Sequence, residues 1–391
     1  MDGLTHSLVG LTAAKAGLER LSPYTAAASI LAANAADIDV VTVLGGRWTA
    51  LHYHRGITHS IVGTLTIGLL IPSLFYLIDR FGARIRKRPA RIRYRGLLVA
   101  SLIASATHPL MDWTNNYGIR PLLPWNEKWF YGDLVFIVDP YIWLVLGGTA
   151  FLLTSNRRGK IVAWSIVACI TTLLIFFASA RGVPGSGNLR PVQVIWITGI
   201  LLFILVRSIK LEVRFGKSIA IVALATITLY WGALSLAHHR ALCDSVELAT
   251  QLASQRGERF VRAAAMPTVA NPFRWLCVAE TDHAMYRFFT TVGLEDSVFP
   301  PNSLTTRTDL PRGIERFEKP SGHDQQLVAS AARDARAQIL LGFARFPVER
   351  ITDDNCVEQT LVQFADLRYT EPGGPSRGNF ALDVPVECWT P

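Results

Sequence analysis

Charged side chains are scarce in this sequence, 18% of 391 residues, where an average soluble domain carries about 25%. That shortage argues against a purely cytosolic protein. Acidic residues are the rarer sign, 30 against 39 basic, for a net charge of +9. No cleavable signal peptide is expected, because the amino end carries Asp2 instead of a basic cluster and no small-residue cleavage site follows a single apolar core. The first full span then acts as its own signal. A phosphate loop is missing too: no Gly-Lys-Ser/Thr follows Pro184-Gly185-Ser186-Gly187, which reads as a turn. Apolar residues are abundant instead. Half of the chain is hydrophobic, with ten Trp, ten Tyr and 19 Phe, a composition that excludes disorder.

Crossing a hydrocarbon layer ~30 Å thick takes roughly 20 mostly apolar residues in a helix. Six runs come close: 60–78, 96–111, 134–154, 161–180, 192–206 and 218–237. Two shorter stretches, 5–18 and 23–36, read as a helical hairpin turning at Glu19-Arg20-Leu21-Ser22-Pro23, with Pro23 in the first turn of the second helix. The expected fold class is an all-α polytopic membrane protein of six to eight membrane helices with a small C-terminal α+β domain outside the cytoplasm. Basic loops stay cytoplasmic and set the orientation. Eight Lys or Arg crowd 80–95; Arg157, Arg158 and Lys160, then Arg207, Lys210, Arg214 and Lys217, fall on the same side when the spans are threaded in order. The loops 112–133 and 181–191 face outward, as does everything after His238. The basic loops are topology determinants, so the bilayer, and no nucleic acid, is the expected partner.

Three regions follow: 1–150 as a helical metal-binding part, 151–239 as further spans, and 240–391 as the exported domain, with a helix over 325–341 followed by strands near 360–369 and 379–386. Cys243, Cys277, Cys356 and Cys388 lie in the exported part, which leaves either two disulfides in one of three pairings or free thiols; Cys169 falls in a span.

The chemistry-bearing residues cluster early. Thr5-His6-Ser7-Leu8-Val9-Gly10 recurs as Thr58-His59-Ser60-Ile61-Val62-Gly63, each copy setting a histidine at a helix entry and a glycine four residues on, where another helix can come close. His108 and Asp112 are four residues apart, so imidazole and carboxylate share one helix face and can grip one metal ion. Asp37, Asp39, His52 and His54 lie between the echoes. Ionisable groups at membrane depth are costly and mark function, and threading brings all of these to the outer side. The expected metal ligands are His6, Asp37, Asp39, His54, His59, His108 and Asp112. Such a mixed nitrogen and oxygen set suits Zn first, then Mn or Fe, ahead of Ca, and a metal-activated water would be the nucleophile. Asp39, His59, Asp139 and Arg55 are the expected catalytic residues. Arg55 either binds an anionic substrate group or pairs with Asp37 or Asp39. Asp139, before Pro140, is a base or supports the ligands. His238-His239 is interfacial, and His283 and His323 carry no metal-ligand spacing.

These motifs, namely Thr5-His6, Asp37-Ile38-Asp39, His54-Arg55-Gly56-Ile57-Thr58-His59-Ser60, His108-Pro109 with Asp112, and Ile137-Val138-Asp139-Pro140, resemble those of the YdjM-like family of bacterial inner-membrane metal-dependent hydrolases over about residues 1–150. Ala36 stands where that family usually has Pro. The order of ligands is in turn similar to that of zinc-dependent phospholipases C. The resemblance implies a phosphodiester, ester or phospholipid substrate at the outer face of the inner membrane. Two other readings use the same residues: a metal-ion or proton-coupled transporter whose ligands line a path, and a non-catalytic envelope scaffold with a structural metal.

Overall fold

The computed structural model describes residues 1–181, 188–293, 313–352, 359–373 and 380–387. The chain runs through α1 (Gly3–Lys15), α2 (Thr25–Asn34), a 3-10 segment Ala35–Gly45, α3 (Arg47–Tyr53), a 3-10 turn Ile57–His59, α4 (Ile61–Ile85), α5 (Tyr94–Trp113), α6 (Pro140–Thr154), α7 (Arg158–Arg181), α8 (Arg190–Ser208) and α9 (Leu211–Arg256). Short polar side chains decide where several of these begin. Asp2 accepts from the Thr5 backbone N–H, Ser60 from Gly63, and Asp139 from Tyr141 and Ile142, each satisfying orphan donors at a helix start.

The chain divides into two units. The first comprises Met1–Asp39, Arg55–Leu236 and Pro267–Pro272; the second comprises Val40–His54, Ala237–Met266 and Phe273–Pro391. In the first unit α1 packs on α2, α5 and α6, α5 also packs on α2 and α4, and α8 lies against α6 and α7. Its core joins Leu8 and Val9 of α1 to Ile142 and Leu146 of α6 and to Ala223 and Ile227 of α9. Leu69, Leu70, Leu77 and Ile78 of α4 stay exposed, an apolar face suited to lipid.

Among the described residues five helical stretches are long and apolar enough to cross a membrane: Thr25–Gly45, α4, Arg158–Ala180, α8 and α9. This differs from the sequence expectation in three places. Residues 134–154 do not form one span, because the helix starts only at Pro140 behind the Asp139 cap and is 15 residues long, about 22 Å. The run 96–111 does form a helix, α5, but its inward face carries Ser101, Ser105, His108 and Asp112, all buried. The stretch after Pro23 gains length instead, since α2 continues into the 3-10 segment. Pro23 lies outside α2, which is entered through Tyr24 at φ 64°.

The second unit holds two sheets. β1 (Phe260–Thr268), β2 (Asn271–Thr281), β3 (Ala284–Thr291) and β4 (Glu315–Glu318) form one in that order; β5 (Pro347–Ile351), β6 (Gln359–Asp366) and β7 (Ala381–Glu387) form the other. The β2–β3, β3–β4, β5–β6 and β6–β7 pairs are antiparallel. Met266, Val278 and Met285 of the first sheet share a core with Val348 and Ala365 of the second. The far end of α9 supplies Ala241, Ala249 and Leu252 to a core with Trp275, Cys277, Tyr286 and Phe288. The single helix expected over 325–341 is two, α10 (His323–Ala331) and α11 (Ala335–Phe343). Asp334 breaks it by capping α11 through the Arg336 N–H, and the Arg336 guanidinium holds its carboxyl down at about 2. Cys169, Cys243 and Cys277 are free thiols. Burial pushes Cys277 up to about 12 and so keeps it a thiol. Cys356, Cys388 and residues 184–187 lie outside the described residues.

Candidate metal centre

Four side chains from three elements meet in the first unit. Asp37 comes from the 3-10 segment, His59 from the Ile57–His59 turn, and His108 and Asp112 from one face of α5; their ligand atoms all lie within 4.8 Å of one another. His59 Nε2 and His108 Nε2 face each other at 3.0 Å. Asp37 Oδ1 lies 3.5 Å from the first and 3.4 Å from the second, and Asp112 Oδ2 lies 3.3 Å and 3.6 Å from them.

The outer nitrogens fix what the inner ones can do. His108 Nδ1 stands 2.6 Å from the Ala33 carbonyl, which only accepts, so Nδ1 carries the proton and Nε2 a lone pair. His59 Nδ1 stands 3.2 Å from Asp39 Oδ2, and the same reasoning turns its Nε2 lone pair inward. Two imidazole lone pairs and two carboxylate oxygens thus point at one another. A divalent cation would accept all four, and the donor set is the nitrogen and oxygen mixture that Zn, Mn or Fe takes.

The remaining expected residues divide by position. His6 is fully buried, stacks on His108 with ring centroids 3.8 Å apart, and brings Nε2 within 3.4 Å of Asp112 Oδ1. It borders the four donors. The α-amino group of Met1 also pairs with Asp112 Oδ1. Asp39 does not join the donors: in a 3-10 geometry of three residues per turn, residues two apart point away from each other, so Asp37 faces the centre while Asp39 takes the back of His59, the Thr58 hydroxyl at 3.2 Å and the Arg55 N–H at 2.9 Å. Its task is to orient the ligand. Asp39→Asn should therefore weaken metal binding by about 10- to 100-fold without removing it, read by titrating zinc against a chelating dye.

Arg55 pairs with Asp112, not through its side chain with Asp37 or Asp39. Its Nη2 and Nε stand 3.0 Å from the two Asp112 oxygens, and Nη1 donates to Asn115 Oδ1 at 2.9 Å and the Gly118 carbonyl at 3.1 Å. A guanidinium so placed braces Asp112 against the loop that carries Asn115 and Gly118. His54 belongs to the second unit and is not among the four donors. Asp139 is not among them either: its Oδ1 caps α6 and its Oδ2 accepts from the Tyr230 hydroxyl at 3.0 Å. That leaves it a structural role at the helix start. Sequence reasoning missed Asn115, Gly118 and the Ala33 carbonyl, the last two acting through backbone atoms that side-chain identity does not report.

The two echoed glycines also do different work. A Cβ at Gly10 would stand 2.7 Å from the Ser29 carbonyl of α2, the close helix approach that was expected. One at Gly63 would stand 2.1 Å from the Ile57 carbonyl and 2.7 Å from that of Thr58; here the neighbour is the turn that carries His59. Gly63→Ala should displace that turn and lower metal affinity by about tenfold or more at unchanged helix content, as circular dichroism beside metal analysis would report.

Residues 1–182 match the family model described as YdjM inner membrane protein. The uncharacterized protein YfhP of Bacillus subtilis (strain 168) is 28% identical over 154 residues, 37% of this chain and 43% of that protein. The match thus spans less than half the length of that curated relative. No solved structure matches.

Proposed function

We propose that this chain is a membrane-bound hydrolase of the inner membrane that uses a divalent metal, zinc before manganese or iron, to cleave an ester or phosphodiester, with a phospholipid head group as the foremost substrate. The observation that carries the reading is the set of four inward-facing acceptor atoms with one accessible edge. His59, His108 and Asp112 are 0–1% exposed, whereas the Asp37 side chain is 33% exposed. When bound, the metal would supply Lewis acidity and lower the pKa of a coordinated water. Asp37, the exposed donor, stands where a substrate would reach the others, and with a metal held there its free carboxylate oxygen would accept a proton from the attacking water and return it to the leaving oxygen. Arg55 and Asp39 keep Asp112 and His59 in place during that exchange.

The outward orientation draws on the α4–α5 pair. His59 precedes α4 and Asp112 ends α5, while the basic stretch 86–93 joins their other ends; basic loops remain cytoplasmic, so the donors lie at the outer face. Detergent-purified protein should hydrolyse bis(p-nitrophenyl) phosphate or dispersed phospholipid, lose that activity to a chelator, and regain it with zinc or manganese. Metal that is bound without any turnover of ester or phosphodiester, and whose removal unfolds the protein, would establish the scaffold reading in its place.

A further inference from the structure

At the opposite end of α1 from His6, the first unit has an open cavity of about 390 Å³, within the size range of small-ligand sites. Its wall is formed by the turn after α1, the end of α6 and the α8–α9 junction. Four cations line it: Lys15, Arg20, Arg207 and Lys217. Two are spoken for. Lys15 Nζ pairs with Glu19 at 2.7 Å, and Arg207 pairs with Glu212 and donates to the Ser155 carbonyl at 2.6 Å. Arg20 and Lys217 pair with no carboxylate among the described residues, so the cavity holds a surplus of two positive charges.

Two further observations point to a ligand. Ser155, 1% exposed, lines the cavity, and its hydroxyl has no hydrogen-bond partner among the described residues, a costly state for a buried group. Lys217 is also held against its local field. It sits two residues past the kink at Phe215, in the first turn of the long part of α9, the helix end at which a cation is disfavoured. A methyl group at Gly17 would come within 3.7 Å of the Lys217 Nζ, so the ammonium lies over that turn. Neutralising helix dipoles explains Lys15 at the end of α1, but not Lys217.

We propose that this cavity is a phosphate-binding site, in which Arg20 and Lys217 neutralise the phosphate of a phospholipid head group or of a soluble phosphate ester and the Ser155 hydroxyl donates to it. Basic pockets between membrane helices on the cytoplasmic side bind anionic head groups in this way. The site is separate from the metal centre and does not depend on the hydrolase reading.

The test titrates full-length protein in detergent with dioleoyl phosphatidylglycerol and with dioleoyl phosphatidylcholine, following retained lipid by native mass spectrometry, and separately with inorganic phosphate and glycerol 3-phosphate by calorimetry. The wild type is compared with Arg20→Gln/Lys217→Gln and with Ser155→Ala. One saturable phosphatidylglycerol adduct, weakened about tenfold or more in the double variant, supports the site with a lipid as its source. Saturable binding of phosphate or glycerol 3-phosphate, lost in the same variant, supports it with a soluble source. Binding that is absent in every arm, or equal in wild type and double variant, overturns it. Both substituted side chains are exposed, and unchanged metal content serves as the folding control; Lys217→Gln alone repeats the comparison should the double variant fail to accumulate.

Discussion

His108→Ala protein, purified in detergent beside the wild type, is expected to retain less than about a tenth of its metal, and His59→Ala the same, at equal folded yield. Each imidazole offers one of the four converging donors among the described residues, while Asp39 sits on the far side of His59 and the Ala33 carbonyl on the far side of His108. Combining the two substitutions should add little, because groups that hold one ion act as a unit. Helix content should not change, since α5 keeps its packing against α2 and α4. Protons compete for the same two nitrogens, so metal affinity should fall as pH falls. Elemental analysis of the variants and a metal titration at two pH values check both statements. Unchanged occupancy in the two variants would sink the assignment.

Arg55→Ala should behave in the opposite way, costing stability before it costs metal. The guanidinium is 3% exposed, meets both oxygens of Asp112, reaches Asn115 and Gly118, and stacks 4.7 Å above the Tyr117 ring. Removing it leaves Asp112 as a buried carboxylate with only the Met1 α-amino group beside it as a partner of opposite charge, and breaking a buried pair costs about 3–5 kcal/mol in comparable cases. Arg55→Lys keeps the charge but not the fork and should recover only part of this. A bound cation would add positive charge beside Asp112, so added zinc should raise the thermal midpoint of Arg55→Ala by more than that of the wild type. A thermal midpoint unchanged by Arg55→Ala without metal would show that the strut is dispensable.

Much of this centre was legible beforehand. His108 and Asp112 could be paired because four residues on a helix return to the same face, and no tertiary information is needed for that. Asp37 and His59 could be added because charged groups beside apolar runs are costly unless they have work to do. The helix boundary at Asp139 was legible in principle as well, from an acidic residue ahead of Pro at a helix start, yet the apolar run from Leu134 hid it. Asp37 and Asp39 could not be told apart, because their opposite tasks follow from a 3-10 backbone and identical residue types carry no trace of it. Arg55 was ambiguous for a related reason: a long cation can reach several carboxylates, and only the packed loop shows that Asn115 and Gly118 complete its coordination.

The amino-acid sequence by itself determined that this is a chain of apolar helices with a polar, strand-forming end, and that histidines and aspartates gather where the helices begin and finish. Periodicity, span length and charge placement are local properties, so a linear reading recovers them. The tertiary structure alone decided which four donors face one another, which carboxylate stands behind a ligand, and which arginine is a strut. Those assignments depend on lone-pair directions and on distances of about 3 Å between segments dozens of residues apart, and such distances exist only once α2, α4 and α5 have packed.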